Sequence, residues 1–209
     1  MARRVDRLWT KSYRVDEGRG VEISLIEDPT TWESDEHCTH FCLWDAAKVL
    51  IEYCRGVEDD FWRERRVLEV GAGLGAVGMY AAHRGARVRL TDLPRAVELL
   101  RRNVRANGLQ KRCEVAALAW GAEPAEKYDL LLGSDLTFDL SKPKSIDMLL
   151  DTMAHCRCDA WIAVEHRPGE VENWESMLSA RHAAFQVVHQ GAGASRRANP
   201  VSVYKVTWP

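Results

Sequence analysis

Glycines and acids, spaced along what read as successive strands, carry the chemistry of this chain. Val67-Leu-Glu-Val-Gly-Ala-Gly-Leu-Gly-Ala-Val-Gly78 is followed by Leu90-Thr-Asp92. The order is a buried strand, a glycine-rich turn opening a helix, and a second strand ending in a carboxylate. Glycines let backbone approach a ligand and the carboxylate takes ribose hydroxyls, so this order builds a site for an adenosine-containing cofactor. Two more acids, Asp135 and Glu165, stand at or near the ends of later apolar runs. In an open α/β sheet the carboxyl ends of the strands border the ligand crevice. Glu69, Asp92, Asp135 and Glu165 are therefore expected to converge as a rim suited to a cationic ligand or substrate.

Taken alone, the glycine run fits two cofactors. Gly73-Leu-Gly-Ala-Val-Gly78 matches the dinucleotide pattern GxGxxG, and Glu69-Val-Gly-Ala-Gly-Leu-Gly75 matches the E/DxGxGxG loop of S-adenosylmethionine (SAM) sites. The acid rim favours SAM, which carries a sulfonium and an ammonium, over NAD, whose pyrophosphate carboxylates would repel. Glu69 lies just inside the loop, where the SAM ammonium or its water shell is expected. Gly78 then becomes a helix residue that permits close packing on the sheet.

These residues need a regular α/β frame. Phe41–Cys54 places apolar residues three and four apart and predicts an amphipathic helix. Strand Arg66–Val70, helix Gly75–His83 and strand Arg87–Asp92 follow. Pro94 is expected at a helix start, and Ala96–Asn107 continues that helix to Gly108. Cys113–Leu118 and Tyr128–Ser134 predict strands, the second apolar enough to be covered on both faces. A helix over 145–155, strand Ala160–Glu165 and helix Val171–Arg181 come next. Phe185–Gln190 and Val201–Trp208, with no helix between them, predict an antiparallel hairpin. Its loop, Ser195-Arg-Arg-Ala-Asn199, is either a substrate contact or a solvated tip. Val21–Ile26 alternates and predicts a strand with one exposed face. The fold class is α/β, with a single doubly wound, mostly parallel seven-stranded sheet of Rossmann-like type closed by a C-terminal antiparallel hairpin.

The 209 residues allow one buried core and are short for two domains, which weighs against a dehydrogenase. Lys and Arg number 29 against 31 Asp and Glu, a net charge of −2 that offers no bulk basicity for a nucleic-acid partner. Six cysteines in a chain of this size predict reduced thiols and a cytosolic or nuclear protein. Met1–Arg7 lacks the apolar core of a secretory signal, and Asp6, Asp16 and Glu17 disfavour a mitochondrial presequence. No apolar run approaches a membrane span. His37, Cys38, His40 and Cys42 with His155, Cys156 and Cys158 number enough ligands for zinc. Their spacing lacks a paired C-x₂–₄-C framework, so no metal is expected.

With these motifs in view, the chain resembles the seven-β-strand protein-lysine methyltransferases of methyltransferase family 16. Four stretches carry the resemblance: Leu43-Trp-Asp-Ala-Ala-Lys-Val-Leu50, Glu69–Gly75, Thr91-Asp-Leu-Pro94 with Leu99–Val104, and Asp135-Leu-Thr-Phe138 in the place of a D/E-x-x-Y/F signature. Leu118-Ala-Trp-Gly121 is similar to an L-D-W-G turn, with Ala119 where an aspartate is usual. The resemblance covers about residues 40 to 168. It implies residues 41–209 as a SAM-dependent methyltransferase domain behind an N-terminal extension, 1–40, carrying a strand or hairpin.

By resemblance, Gly71, Gly73 and Gly75 bend around the methionine half of SAM, with Glu69, Leu93 and Ser134 also lining the cofactor. Asp92 takes the ribose hydroxyls or, alternatively, caps the helix near Pro94. Trp120 either packs on adenine or is a core residue, and Trp44 either closes over the methionine or anchors its helix. Asp135 is an orienting acceptor for the target amine, because a carboxylate stabilises the ammonium and so makes a poor base. Phe138 is an apolar wall offering cation–π contact. The absence of a proline pair at 136–137 disfavours a nucleobase or glutamine amide. The implied activity is methyl transfer to a lysine of a protein substrate by a chain working as a monomer, without nucleic acid or membrane. Alternatives are a histidine or small-amine acceptor, an NAD oxidoreductase and a non-catalytic binding module. Glu165-His-Arg167 either braces the target or pairs internally.

Overall fold

The computed structural model describes residues 9–27, 42–124, 126–137, 143–192 and 199–209. Five parallel strands form the body of the sheet: Arg66–Val70 (β3), Arg87–Asp92 (β4), Cys113–Ala117 (β5), Leu130–Ser134 (β6) and Asp159–Glu165 (β7). Their side chains alternate between two covered faces. Val67, Leu130, Leu132 and Ala163 meet helices Asp45–Arg55 (α1), Ala76–His83 (α3) and Val97–Ala106 (α4). Leu68, Leu131, Ile162 and Val164 meet Pro143–Cys156 (α5) and Glu170–Ala180 (α6). Burial on both sides explains why Leu130-Leu-Leu132 is apolar throughout.

The seven-stranded sheet has the order β5-β4-β3-β6-β7-β9-β8, where β8 is Ala184–Ala192 and β9 is Pro200–Thr207. The chain runs outward from β3 to β5, then returns to lay β6 against the other side of β3. This reversal opens a crevice outside the carboxyl ends of β3 and β6. The C-terminal hairpin forms as expected, with β9 pairing antiparallel to both β7 and β8. Burial decides which hairpin strand lies inside: Val201, Val203, Tyr204 and Val206 are buried, whereas most of β8 is half-buried or exposed. The more polar strand takes the edge, where unpaired backbone meets water.

Trp9–Asp16 (β1) and Val21–Glu27 (β2) form a separate antiparallel pair. The alternation of β2 signalled a strand, and its Ile23 and Leu25 are fully buried. β1 carried no such signal because its first four residues are exposed. Two asparagines, Asn103 on α4 and Asn107 just after its end, hold this hairpin. Asn107 accepts from Ser24 N–H at 2.9 Å and donates to Ser24 C=O at 2.7 Å. Asn103 does the same for Ile26, at 2.7 and 3.4 Å. One helical turn apart, the two amides pair with the β2 backbone as a neighbouring strand would.

A short helix, Asp59–Trp62 (α2), had no sequence signal. The expected helix start at Pro94 is a turn instead, closed by Ala96 N–H on Leu93 C=O, and α4 begins at Val97.

Candidate active site

The glycine loop is shaped by three residues in the left-handed region: Gly71 (φ 58°), Gly73 (φ 54°) and Gly75 (φ 81°). Side chains there would meet steric cost as well as crowding, since a Cβ at Gly71 would overlap Leu136 and one at Gly75 would overlap Leu100. A Cβ on Gly78 would run into Leu90 and the Glu69 carboxylate, so this glycine lets α3 lie close on β4.

Glu69 does not stand where the sequence placed it. Its side chain is 2% exposed and turns inward, and Oε2 accepts the Gly78 N–H at 2.8 Å. Burial pushes its carboxyl up to about 8, opposed by the Gly78 hydrogen bond and reinforced by the charge of Asp92. It therefore ties the end of β3 to the start of α3 from within. The cause is the strand's period: the residue two before Gly71 falls under the helix that the loop opens.

Asp92, ending β4, reaches the loop directly. Its Oδ2 accepts from Gly73 N–H at 2.8 Å and its Oδ1 from Leu93 N–H at 2.6 Å. The helix-cap alternative falls away, because α4 is preceded by Ala96 and has no side-chain cap. Leu93 is exposed beside it. Trp120 lies half-buried on the loop's flank, its Cζ2 at 3.5 Å from the place a Gly71 Cβ would take. It also packs on the α5–α6 side of the core, as its reading as a core residue expects.

Ser134 ends β6 half-buried, and the next residue, Asp135, is buried with φ 55°. Aspartate enters this region more readily than most residues. Arg167 grips Asp135 with both guanidinium nitrogens, Nη1 to Oδ1 at 2.7 Å and Nη2 to Oδ2 at 2.9 Å. The same guanidinium holds Glu165 at 2.6 Å and Glu170 at 3.1 Å. Thr137, buried, donates to Glu170. Asn199, the last residue of the hairpin loop, donates to the other Glu165 oxygen at 2.8 Å.

The expected open rim of four acids is thus corrected. Glu69 is inside the loop, and Asp135 and Glu165 close on Arg167. Of the two readings of Arg167, internal pairing holds. Sequence reasoning missed Glu170 and Thr137, whose partners lie in other elements.

Trp44 is the half-buried residue preceding α1. Nearby Cys42 is also half-buried, and its thiol is pushed up to about 11 by burial, then by the charge of Glu27, with Asp135 adding to the effect. Phe138, His37, Cys38, His40 and residues 195–198 lie outside the described residues. Among the described residues, no group of three or more His, Cys, Asp or Glu is arranged to hold a metal ion.

A glycine loop and an acid at adjacent strand ends, in this sheet order, define a Rossmann-like methyltransferase fold. The same fold appears in a T. Thermophilus 16S rRNA N2 G1207 methyltransferase solved in complex with AdoMet and guanosine. That structure matches with a TM-score of 0.68 and 17% identity, covering 97% of this chain and 51% of that one. The chain belongs to the lysine methyltransferase family, whose model matches residues 28–180. Among curated relatives, EEF1A lysine methyltransferase 3 of Mus musculus is 40% identical over 117 residues, 54% of this chain and 49% of that protein. Protein N-lysine methyltransferase METTL21A of Danio rerio is 39% identical over 120 residues, 54% and 53% of the two chains. The chain spans about half the length of the curated relatives it matches.

Proposed function

We propose that this protein transfers a methyl group from SAM to the side-chain amine of a lysine in a protein substrate. One observation carries the reading: Leu136, the neighbour of Asp135, packs directly on Gly71, so the acceptor carboxylate and the glycine loop share one crevice. The residues present suit the cofactor. Both Asp92 oxygens accept backbone N–H groups, which hold the carboxylate at the glycine loop, where it would meet the ribose hydroxyls. Gly71, Gly73 and Gly75 offer side-chain-free backbone for the methionine portion, and Trp120 flanks the loop where an adenine would stack. Leu93 after β4, Ser134 ending β6 and Trp44 before α1 are proposed to line the cofactor, while Glu69 secures the loop from below.

When bound, SAM supplies the electrophilic methyl group. The protein must present a neutral amine to it. A free lysine has a pKa near ~10.4, so deprotonation at pH 7.4 costs about 4 kcal/mol. Asp135 accepts a hydrogen bond from the amine and orients its lone pair, while the proton leaves to water. Phe138 follows in the signature as the apolar wall. Positioning of this kind can contribute ~7–11 kcal/mol. The five described cysteines are free, which supports a reducing compartment, cytosol or nucleus, and the chain is proposed to act as a monomer on protein rather than nucleic acid or membrane.

The test is transfer of label from tritiated SAM into an extract lacking this protein, with the modified residue mapped by mass spectrometry. Labelled lysine in a protein is expected, with Asp135→Ala reducing transfer at least ~100-fold. Label confined to small molecules, or to residues other than lysine, overturns the acceptor assignment.

A further inference from the structure

The ion cluster around Arg167 does more than join elements. From the segment after β6 the guanidinium is faced by Asp135, from the end of β7 by Glu165, and from the first turn of α6 by Glu170. His166, its chain neighbour, turns away to Ser202 at 2.7 Å. Among the described residues before α1, the Cys42 thiol feels the charge of Asp135 and is itself neutral at physiological pH. Among the described residues three carboxylates therefore meet one cation, so the acids outnumber the base, with burial raising the Glu170 carboxyl. Among the described residues Arg167 holds Asp135 along one edge, taking two of the four lone-pair sites of its carboxylate.

Resting on the lysine-methyltransferase reading, we propose that Arg167 is a positioning residue that sets the charge felt by the target amine. It fixes the plane of Asp135, leaving the outer lone pairs for the amine N–H. It also offsets enough of the cluster's negative charge to let the bound amine lose its proton. A carboxylate acting alone would hold the amine as the ammonium, which has no lone pair to accept a methyl. Arg167 keeps the orienting bond while weakening the field that opposes deprotonation. Lysine at this position would preserve the charge but not the two-point grip.

The experiment measures single-turnover methyl transfer at saturating SAM and acceptor across pH, using tritiated SAM and the acceptor protein mapped above. The acid limb of this profile reports the amine in the bound complex. Arg167→Gln loses the grip as well as the charge, so it should lose rate at every pH and also move that limb to higher pH by about one unit or more, a further loss of about tenfold at neutral pH. The double variant Arg167→Gln with Glu165→Gln restores the charge balance and should bring the limb back. Arg167→Lys should keep the limb in place and lose rate at every pH. A loss in Arg167→Gln by the same factor at all pH values, with no return in the double variant, reduces Arg167 to a structural clamp and overturns the proposal. If Arg167→Gln does not fold, Glu165→Gln alone decides: a shift of the limb to lower pH supports the inference and an unmoved limb refutes it. Absence of transfer by the unmodified protein overturns the function reading itself, a different result from transfer with an unmoved limb.

Discussion

Replacing Glu69 by glutamine should stabilise the protein at alkaline pH while changing little at about pH 5. The reason lies in how the side chain is enclosed. Burial pushes the Glu69 carboxyl from its ordinary 4.5 up to about 8. Between those values the folded protein keeps the proton and the unfolded chain releases it. Stability then falls as pH rises through the window, with a slope approaching 1.4 kcal/mol per unit, roughly 4 kcal/mol in all by pH 8. Glutamine has the shape of the protonated acid, and its carbonyl still accepts the Gly78 N–H now bonded at 2.8 Å. The variant therefore lacks the slope. Urea unfolding of both proteins from about pH 5 to about pH 8.5 gives the difference in free energy at each pH, with other titrating groups cancelling. The difference should widen steadily in favour of Glu69→Gln. A constant or shrinking difference refutes the reasoning. It would mean that the start of α3, with its positive dipole end, keeps Glu69 ionised despite burial.

Three further outcomes follow from contacts in the site and its supports. Gly78→Ala forces a methyl against Leu90 and the Glu69 carboxylate, and should cost about 1–3 kcal/mol by chemical denaturation and weaken SAM binding by calorimetry. Asp92→Asn keeps one acceptor oxygen but leaves Gly73 or Leu93 N–H opposite an NH₂ group; SAM affinity should fall at least ~10-fold, and an unchanged affinity would remove Asp92 from the cofactor site. Asn103→Ala strands the Ile26 N–H and the Leu74 C=O in the glycine loop, and should cost about 1–3 kcal/mol while speeding hydrogen exchange across β2.

Most of the frame was legible because local chemistry specifies it. Leu130-Leu-Leu132 announced a doubly covered strand, and the β3 and β4 bounds were readable from the switch between apolar runs and glycine or acid. β1 was not legible, since an exposed strand needs only a partner and displays no periodic signal of its own. The roles of Asn103 and Asn107 were hidden for the same reason. An asparagine on a helix shows its type, not the backbone it will bond.

The candidate site divides along that line. Residue types and short spacings by themselves determined the glycine loop, the strand ends and the presence of acids there, because these depend on backbone conformation and a two-residue or 3.6-residue period. Where each carboxylate points was decided only by the tertiary structure. Positions 135, 165 and 170 come from three elements, and they converge on Arg167 through strand order and helix placement. Glu69, counted with Asp135 and Glu165 in sequence, is turned under α3 and shut from solvent. Charge pairing is a property of distance and burial, and neither is written in the local run of residues.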